Sequence, residues 1–206
     1  MKIEGLVNKN DENIEDFNLN LRENIARKHR FYFVGDFNKD GTAIFKADKK
    51  MGLVDKEGKV LFESFMIGEF HEGFAVAYFN GGLQCFIDTK GKKMFEPNKN
   101  TYGNFKEGRA WFHDENSYGF INKKGEFLAQ HLLRAYDFNE GMAKVRLQDF
   151  SYGFVDLRGD LVIGGLDSVQ DFKDGVAKVW KKKDNAIYYI NKKGEFVFTE
   201  NLEIPD

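Results

Sequence analysis

Four histidines and one cysteine are the side chains of this sequence best suited to catalysis or metal binding, and their spacing favours neither. His29, His71, His113 and His131 are never three or four residues apart, the spacing that places two ligands on one face of a helix. Cys85 has no second cysteine, so neither an intrachain disulfide nor a four-thiolate zinc site can form. We therefore predict no catalytic residue, no metal site and no cofactor, and a protein that is not an enzyme.

Acidic residues recur immediately before a glycine, about once every 34 residues. A glycosidase needs a single unequal pair of carboxyl groups whose pKa values differ. An EF-hand needs all its calcium ligands within one loop of about 12 residues, which this spacing does not provide. We therefore interpret the repeated acids as turn residues: Asp40, Glu72, Glu107, Glu140 and Asp174.

These acids belong to a motif, Phe-x-(Glu/Asp)-Gly-x-Ala, that occurs five times, with one extra residue in the first copy. Successive copies start 33, 35, 33 and 34 residues apart. Recurrence at a nearly fixed period is the signature of a repeat architecture. The motif begins at Phe37, Phe70, Phe105, Phe138 and Phe172, and its alanines are Ala43, Ala75, Ala110, Ala143 and Ala177.

A second motif follows in every copy: two large apolar residues, an Asp or Asn, two mostly polar residues and a glycine. Asp or Asn suits the first position of a type I turn, and glycine at the fourth position tolerates a positive φ. The motif therefore predicts a hairpin, and because an apolar run resumes after the glycine, each copy offers three short strands. The turn glycines are Gly58, Gly91, Gly125, Gly159 and Gly194.

The alanines indicate how the repeats pack. Alternation along a strand places each alanine and the residue two positions later on one face. A small side chain that recurs there indicates the close approach of another backbone or of a phenylalanine ring, so we interpret the motifs as scaffold. An apolar residue three positions before each repeat phenylalanine is expected to help seat it in a core between repeats: Val34, Ile67, Tyr102, Ala135 and Val169.

A helix is predicted only near the N-terminus, where Asn10 or Asp11 could cap it. Residues 5–11 before it resemble the second half of a repeat that has lost its turn glycine. The apolar residues at helical spacing are Ile14, Phe17, Leu21 and Ile25. We predict one domain over residues 1–206, made of a partial repeat with a helical cap (1–34), five repeats (35–198) and a tail (199–206).

The two motifs together resemble the bacterial WG repeats, which are named for a Trp-Gly pair. The resemblance extends over about residues 35–198, with the pair replaced by Met51-Gly52, Tyr118-Gly119 and Tyr152-Gly153 and absent from the other two copies. The namesake tryptophan is therefore missing throughout, and Cys85 stands at a glycine position, where we interpret it as a packing residue. The resemblance implies a β-rich interaction scaffold without shared catalytic residues.

The expected fold is all-β: tandem three-stranded meanders of about 34 residues in a continuous solenoid-like array, with a short N-terminal helix. A closed propeller-like ring is the alternative. The period is short for a four-stranded blade, which needs about 40 residues. A fragmentary repeat at the N-terminus could nevertheless complete the last unit and close a ring.

Residues at odd offsets from the repeat glycine point away from the alanine face, and in the last three copies they mix basic and aromatic side chains. An ordinary solvated face explains this pattern as well. The functional alternative is a binding face for an anionic partner, such as an acidic peptide, a polysaccharide or single-stranded nucleic acid. The residues predicted to bind a partner are Arg109, Trp111, Lys144, Arg146, Lys178 and Trp180.

The charge balance argues against partners that need a strong overall field. With 31 basic and 33 acidic residues the formal net charge is −2, which attracts neither nucleic acid nor an anionic membrane. No apolar run has the length of a signal peptide or a membrane span. We expect a cytoplasmic scaffold that binds a protein or peptide, with a carbohydrate-binding module that uses exposed aromatics as the alternative.

Overall fold

The structure, a computed structural model, describes residues 9–200 as one α-helix followed by five antiparallel sheets, with a short 3-10 helix (Asn80–Gly82) inside sheet 2. Helix α1 spans Lys9–His29. Sheet 1 contains β1 (Phe33–Val34), β2 (Thr42–Ala47), β3 (Lys50–Asp55) and β4 (Val60–Ser64), and sheet 2 contains β5 (Met66–Ile67), β6 (Phe74–Tyr78) and β7 (Gln84–Asp88). Sheet 3 contains β8 (Thr101–Tyr102), β9 (Arg109–His113), β10 (Tyr118–Asn122) and β11 (Phe127–Leu132).

Sheets 4 and 5 repeat the same order. Sheet 4 contains β12 (Arg134–Asn139), β13 (Met142–Arg146), β14 (Tyr152–Asp156) and β15 (Leu161–Leu166), and sheet 5 contains β16 (Ser168–Val169), β17 (Val176–Lys181), β18 (Ala186–Asn191) and β19 (Phe196–Glu200). Hydrogen-bonded neighbours are always consecutive in sequence, so each sheet is a meander. The prediction of a repeated all-β array is confirmed.

Four of the sheets have four strands where the sequence motifs indicated three. The additional strand is the stretch before each repeat phenylalanine, which pairs with the strand that carries the alanine; in three of these sheets it is only two residues long.

Sheet 2 instead lacks a regular last strand. The segment after Gly91 makes single bridges to Ile87 and Gln84, and Pro97 within it cannot donate a backbone hydrogen bond.

Two kinds of turn shape each sheet. At the Glu-Gly turns φ is positive at both central residues, 50° at Glu72 and 90° at Gly73, which is the geometry of a two-residue type I′ hairpin. The hairpin predicted from Asp/Asn-x-x-Gly is confirmed: the Gly125 amide donates to the Asn122 carbonyl at 2.9 Å, and φ of Gly125 is 82°. Both kinds of turn lie at the same end of the sheets.

Consecutive sheets pack face to face. The alanine face of each sheet covers the opposite face of the sheet before it, as where Ala143 and Val145 of sheet 4 join Phe120 and Leu132 of sheet 3 in one buried cluster. All five repeat alanines are buried. The five apolar residues before the repeat phenylalanines are buried too, as predicted.

Helix α1 takes the place of a preceding sheet at the N-terminal end. Its Ile25 packs with Val34, Ala43 and Phe45, so the alanine face of sheet 1 meets the helix and not the last sheet. The array is therefore open, in agreement with a solenoid-like arrangement. No helix within the described residues has the length and apolarity needed to cross a membrane.

Details of the predicted N-terminal cap differ in the structure. Asn10 and Asp11, expected as caps, lie inside helix α1, since Lys9, the first described residue, is already helical. Phe17, one of the four apolar residues at helical spacing, is 66% exposed. Residues 1–8 of the predicted partial repeat and residues 201–206 of the predicted tail lie outside the described residues, and β19 extends to Glu200.

Candidate functional site

The repeated acids connect successive sheets. The Glu72 carboxylate accepts hydrogen bonds from the Glu107 and Gly108 amides at 2.7 and 2.8 Å. Glu107 does the same for the next turn, at 2.8 and 2.7 Å, and Glu140 for the turn after it, at 2.6 and 2.9 Å. These three residues, which we call the turn carboxylates, therefore have a structural role, as the interpretation as turn residues predicted.

Hydrogen bonding to the charged form sets the acidity of two turn carboxylates. For Glu140, the amide of Gly175 first, and then the Asp174 amide and Lys192, lower the pKa below its ordinary value of 4.5 against the effect of desolvation. For Glu72, burial raises the pKa, but the Lys123 ammonium and the two amides outweigh burial and the pKa is lowered. Both groups are stabilised as anions.

The first copy departs from this pattern because of its extra residue. Asp40 does not reach the next turn in the same way; its carboxylate accepts a hydrogen bond from the Thr89 hydroxyl at 2.5 Å. The Thr42 hydroxyl donates to the Thr89 carbonyl, also at 2.5 Å. Sheets 1 and 2 are thus joined by hydroxyl groups where later sheets are joined by a turn carboxylate.

Cys85 is buried in the core between sheets 1 and 2, which is the packing role predicted for it. Desolvation by burial raises the pKa of its thiol to about 11. A thiol of this kind is protonated at neutral pH and is a poor nucleophile.

The histidines occupy separate settings. His113 packs against Tyr118 with ring centroids 4.3 Å apart, and His29 stacks on Phe31 at 5.2 Å. His71 lies 3.8 Å from the Glu69 carboxylate. Within residues 9–200, no three side chains of His, Cys, Asp or Glu are arranged so that they could hold a metal ion.

The six residues predicted to bind a partner are distributed over three different layers. Arg109 donates through Nε to the Leu157 carbonyl of the next sheet at 2.7 Å, and Trp111 packs into the core between sheets 3 and 4. Lys144 lies 3.4 Å from Asp171, between sheets 4 and 5. The six residues do not form one continuous stripe, because side chains at odd offsets from the repeat glycine point toward the following sheet. Lys178 and Trp180 lie on the outer face of sheet 5.

Arg146 belongs instead to a cluster at the strand ends of sheet 4, away from the Glu-Gly turns. It pairs directly opposite Arg134 in the register of β12 and β13. The Arg134 guanidinium lies 5.3 Å from the Tyr118 ring and donates to the Tyr118 hydroxyl at 3.2 Å, and Arg146 lies 5.3 Å from Tyr152. Sequence reasoning missed Arg134 because β12 was not recognised as a strand.

Exposed aromatic side chains lie along the same side of the array, where the strands end opposite the Glu-Gly turns. Tyr32, Phe65 and Phe150 are 72%, 58% and 68% exposed, and Phe33 and Met66 are exposed as well. They lie where sheets 1, 2 and 4 begin or turn: the Tyr32 and Phe65 amides donate to carbonyls at the ends of β2 and β6, and Phe150 is in the β13–β14 hairpin. We call these five residues the hairpin-tip surface.

Three segments of the chain, residues 86–115, 118–149 and 152–182, match the sequence profile of the family described as WG containing repeat. The resemblance to WG repeats is thus confirmed for residues 86–182. The profile match covers three copies, and the first and last sheets extend the same architecture to either side of them.

Each WG repeat, as matched, begins in the third strand of one sheet and ends after the second strand of the next. A single sequence repeat therefore links two neighbouring sheets covalently. Tyr118 and Tyr152 stand at the tryptophan position of the WG pair, and each carries one of the two arginines described above over its ring.

Comparison with solved structures gives distant similarities. BamB from Moraxella catarrhalis is 9% identical with a TM-score of 0.40, the match covering 79% of this chain and 59% of BamB. The computationally designed Ika8 protein is 12% identical with a TM-score of 0.42, covering 81% and 60% of the two chains. Virginiamycin B lyase from Staphylococcus aureus is 15% identical with a TM-score of 0.37, covering 84% and 70%.

The chain thus spans about three fifths of the length of BamB and of Ika8. The comparison with curated proteins gave no match.

Proposed function

We propose that this protein is a non-enzymatic interaction scaffold that binds a partner protein through the hairpin-tip surface. The observation that supports the proposal most directly is the exposure of Tyr32, Phe65 and Phe150 along one side of the array. Large exposed aromatic residues gathered on one side are typical of protein interaction sites, where they supply much of the binding energy.

Three other exposed apolar residues have partners within the fold. Phe127 packs edge-to-face on Phe112 with ring centroids 4.9 Å apart, and Phe196 lies 6.3 Å from Tyr188. Leu161 covers the backbone at Gly153. These residues begin the outer strands of sheets 3 to 5, and their contacts give them a packing role that does not require a partner.

The architecture suits this function. Loops carried by a rigid scaffold are the usual position of binding residues, and repeat arrays bind along one side. The stacked sheets and the turn carboxylates fix the spacing of the hairpin tips, so that a partner meets a preformed surface. The structural role of the carboxylates and the buried thiol of Cys85 support a function without catalysis.

The experiment is affinity capture from cells that make the protein, with the chain immobilised. Phe65→Ser and Phe150→Ser should each weaken capture of the partner about tenfold or more, because truncation of an interface aromatic costs about 2 kcal/mol or more. Phe17→Ser is the matched control, since this phenylalanine is equally exposed but lies on helix α1.

Equal capture by the parent and by the double variant Phe65→Ser/Phe150→Ser would contradict the proposal. Binding of neutral oligosaccharides on a glycan array, lost in the same double variant, would instead support the carbohydrate-binding alternative.

A further inference from the structure

Arg134 and Arg146, at the strand ends of sheet 4, repel each other when no ligand lies between them. Arg134 and Arg146 are directly opposite each other on antiparallel strands, where Cβ atoms are about 5 Å apart and like charges destabilise the pair. In addition, Nε of Arg146 is buried and has no hydrogen-bond partner. A buried donor of this kind is costly unless something else satisfies it.

The surroundings of the two guanidinium groups form an open groove of about 360 Å³. Aromatic rings lie under the cations: Arg134 is 5.9 Å from the ring of Tyr136, and Arg146 is 5.8 Å from that of Phe150. Leu133 adds an apolar wall. The rings offset part of the repulsion between the two charges but supply no acceptor for the remaining N–H groups.

We propose that this groove binds the carboxylate side chains of an acidic segment of a partner protein. The proposal rests on the proposed function, since it names the partner chemistry at one place beside the hairpin-tip surface. A guanidinium presents its donors as a planar fork that matches a carboxylate. A carboxylate between Arg134 and Arg146 would offset their repulsion and accept hydrogen bonds from the outer N–H groups of both guanidinium forks.

The size and charge of the site favour a short acidic segment over a long polyanion. Lys144, whose ammonium lies 4.4 Å from the Tyr136 ring, is already paired with Asp171 at 3.4 Å, and Asp149 lies next to Phe150 in the hairpin. A nucleic acid gains its affinity from many phosphate contacts, which two arginines flanked by acids do not offer. The groove volume is suited to a few side chains.

The test uses fluorescein-labelled hexaglutamate as the probe, with fluorescence anisotropy as the measurement. Arg134→Gln and Arg146→Gln should each weaken binding about tenfold, because a hydrogen bond to a charged group contributes roughly one such factor. Arg158→Gln removes the same charge at the opposite end of sheet 4 and should bind like the parent. Arg146→Lys, which keeps the charge but loses the fork, should bind more weakly than the parent.

Several results would overturn the proposal. The parent could fail to bind hexaglutamate, or it could bind hexaglutamate no more tightly than Arg146→Gln does. Inorganic phosphate could compete with hexaglutamate equally strongly, or a single-stranded oligonucleotide could bind more tightly than hexaglutamate. If hexaglutamate fails but Phe65→Ser still lowers partner capture, the interaction scaffold stands and only the acidic segment is wrong. If hexaglutamate binds as expected while Phe65→Ser and Phe150→Ser have no effect, the proposed function is wrong and the anion site stands.

Discussion

Individual residues in this array compensate one another across paired strands. Gly52 and Gly119 are paired with Phe45 and Phe112, whose rings occupy the space that a side chain at the glycine would need. At the equivalent place in sheet 2 the glycine is replaced by Cys85, and its partner is the small Ala77. A larger residue at one position of the pair is thus accompanied by a smaller residue at the other, as a densely packed core requires.

This compensation predicts the effect of Gly119→Ala. A Cβ at this position would lie 2.7 Å from the Ala129 carbonyl and from the Phe112 ring, so the variant should lose about 1–3 kcal/mol of unfolding free energy through overpacking. Gly164→Ala is the control, because its Cβ would make only ordinary contacts and should change stability by about 0.5 kcal/mol or less. Urea unfolding measures both.

A double-mutant cycle makes the same prediction sharper. Phe112→Ala alone leaves a cavity, and Gly119→Cys alone overpacks, but together they recreate the Ala77–Cys85 pair of sheet 2. The double variant should therefore be more stable than the sum of the single effects indicates. Strict additivity would show that volume is not exchanged between the two positions.

At the scale of the elements, the turn carboxylates connect the Glu-Gly hairpins of neighbouring sheets, which the packing of the sheets already places side by side. A carboxylate accepts two backbone N–H groups, whereas a glutamine side chain offers one oxygen and places its NH₂ donor against the second N–H. Each turn carboxylate therefore joins its own hairpin to the next through two hydrogen bonds, and a glutamine at the same position could form only one of them.

Glu140 should accordingly contribute to a pH-dependent stability. Its pKa is lowered from 4.5 by the Gly175 amide and its other partners, so the unfolded chain takes up a proton before the folded chain does. The contribution is fully present above about pH 4.5 and is lost as the pH falls through the lower folded value. Glu140→Gln should thus be less stable than the parent at neutral pH and approach it in acid.

Urea midpoints across this pH range measure the difference. The control is Glu115→Gln, which removes an exposed carboxylate from the β9–β10 hairpin. A constant difference between Glu140→Gln and the parent at all pH values would mean that the charge of Glu140 is not what stabilises the turn.

The repeat motifs were enough to predict the hairpins, the buried alanines and the turn role of the acids, because these depend on local backbone chemistry. The two-residue strands, such as β1 and β16, are too short to produce a periodic signal. The predicted partner-binding residues do not share one face, because the long aliphatic stems of Lys144 and Arg109 let them lie between sheets. There Lys144 pairs with Asp171 and Arg109 donates to the Leu157 carbonyl. The Arg134–Arg146 pair depends on register, which sequence alone does not give.

At the scale of the whole molecule, the two ends of the array differ. Helix α1 covers the alanine face of sheet 1, whereas within residues 9–200 no further sheet covers the opposite face of sheet 5. Tyr189 stands there at the position where Phe154, Phe120 and Phe86 are fully buried, and it remains partly exposed.

In such an array the stability of a sheet depends mainly on its immediate neighbours. Ile25→Ala should therefore destabilise by about 2–4 kcal/mol, since it removes a buried side chain from the cap. Hydrogen exchange should rise most in β1 to β4 and little in sheets 3 and 4, which are covered on both faces. Phe17→Ala, on the same helix but exposed, should leave the exchange pattern unchanged. A uniform rise over all five sheets in Ile25→Ala would show that the protein unfolds as one cooperative body, and that the cap stabilises the whole array and not its first sheet.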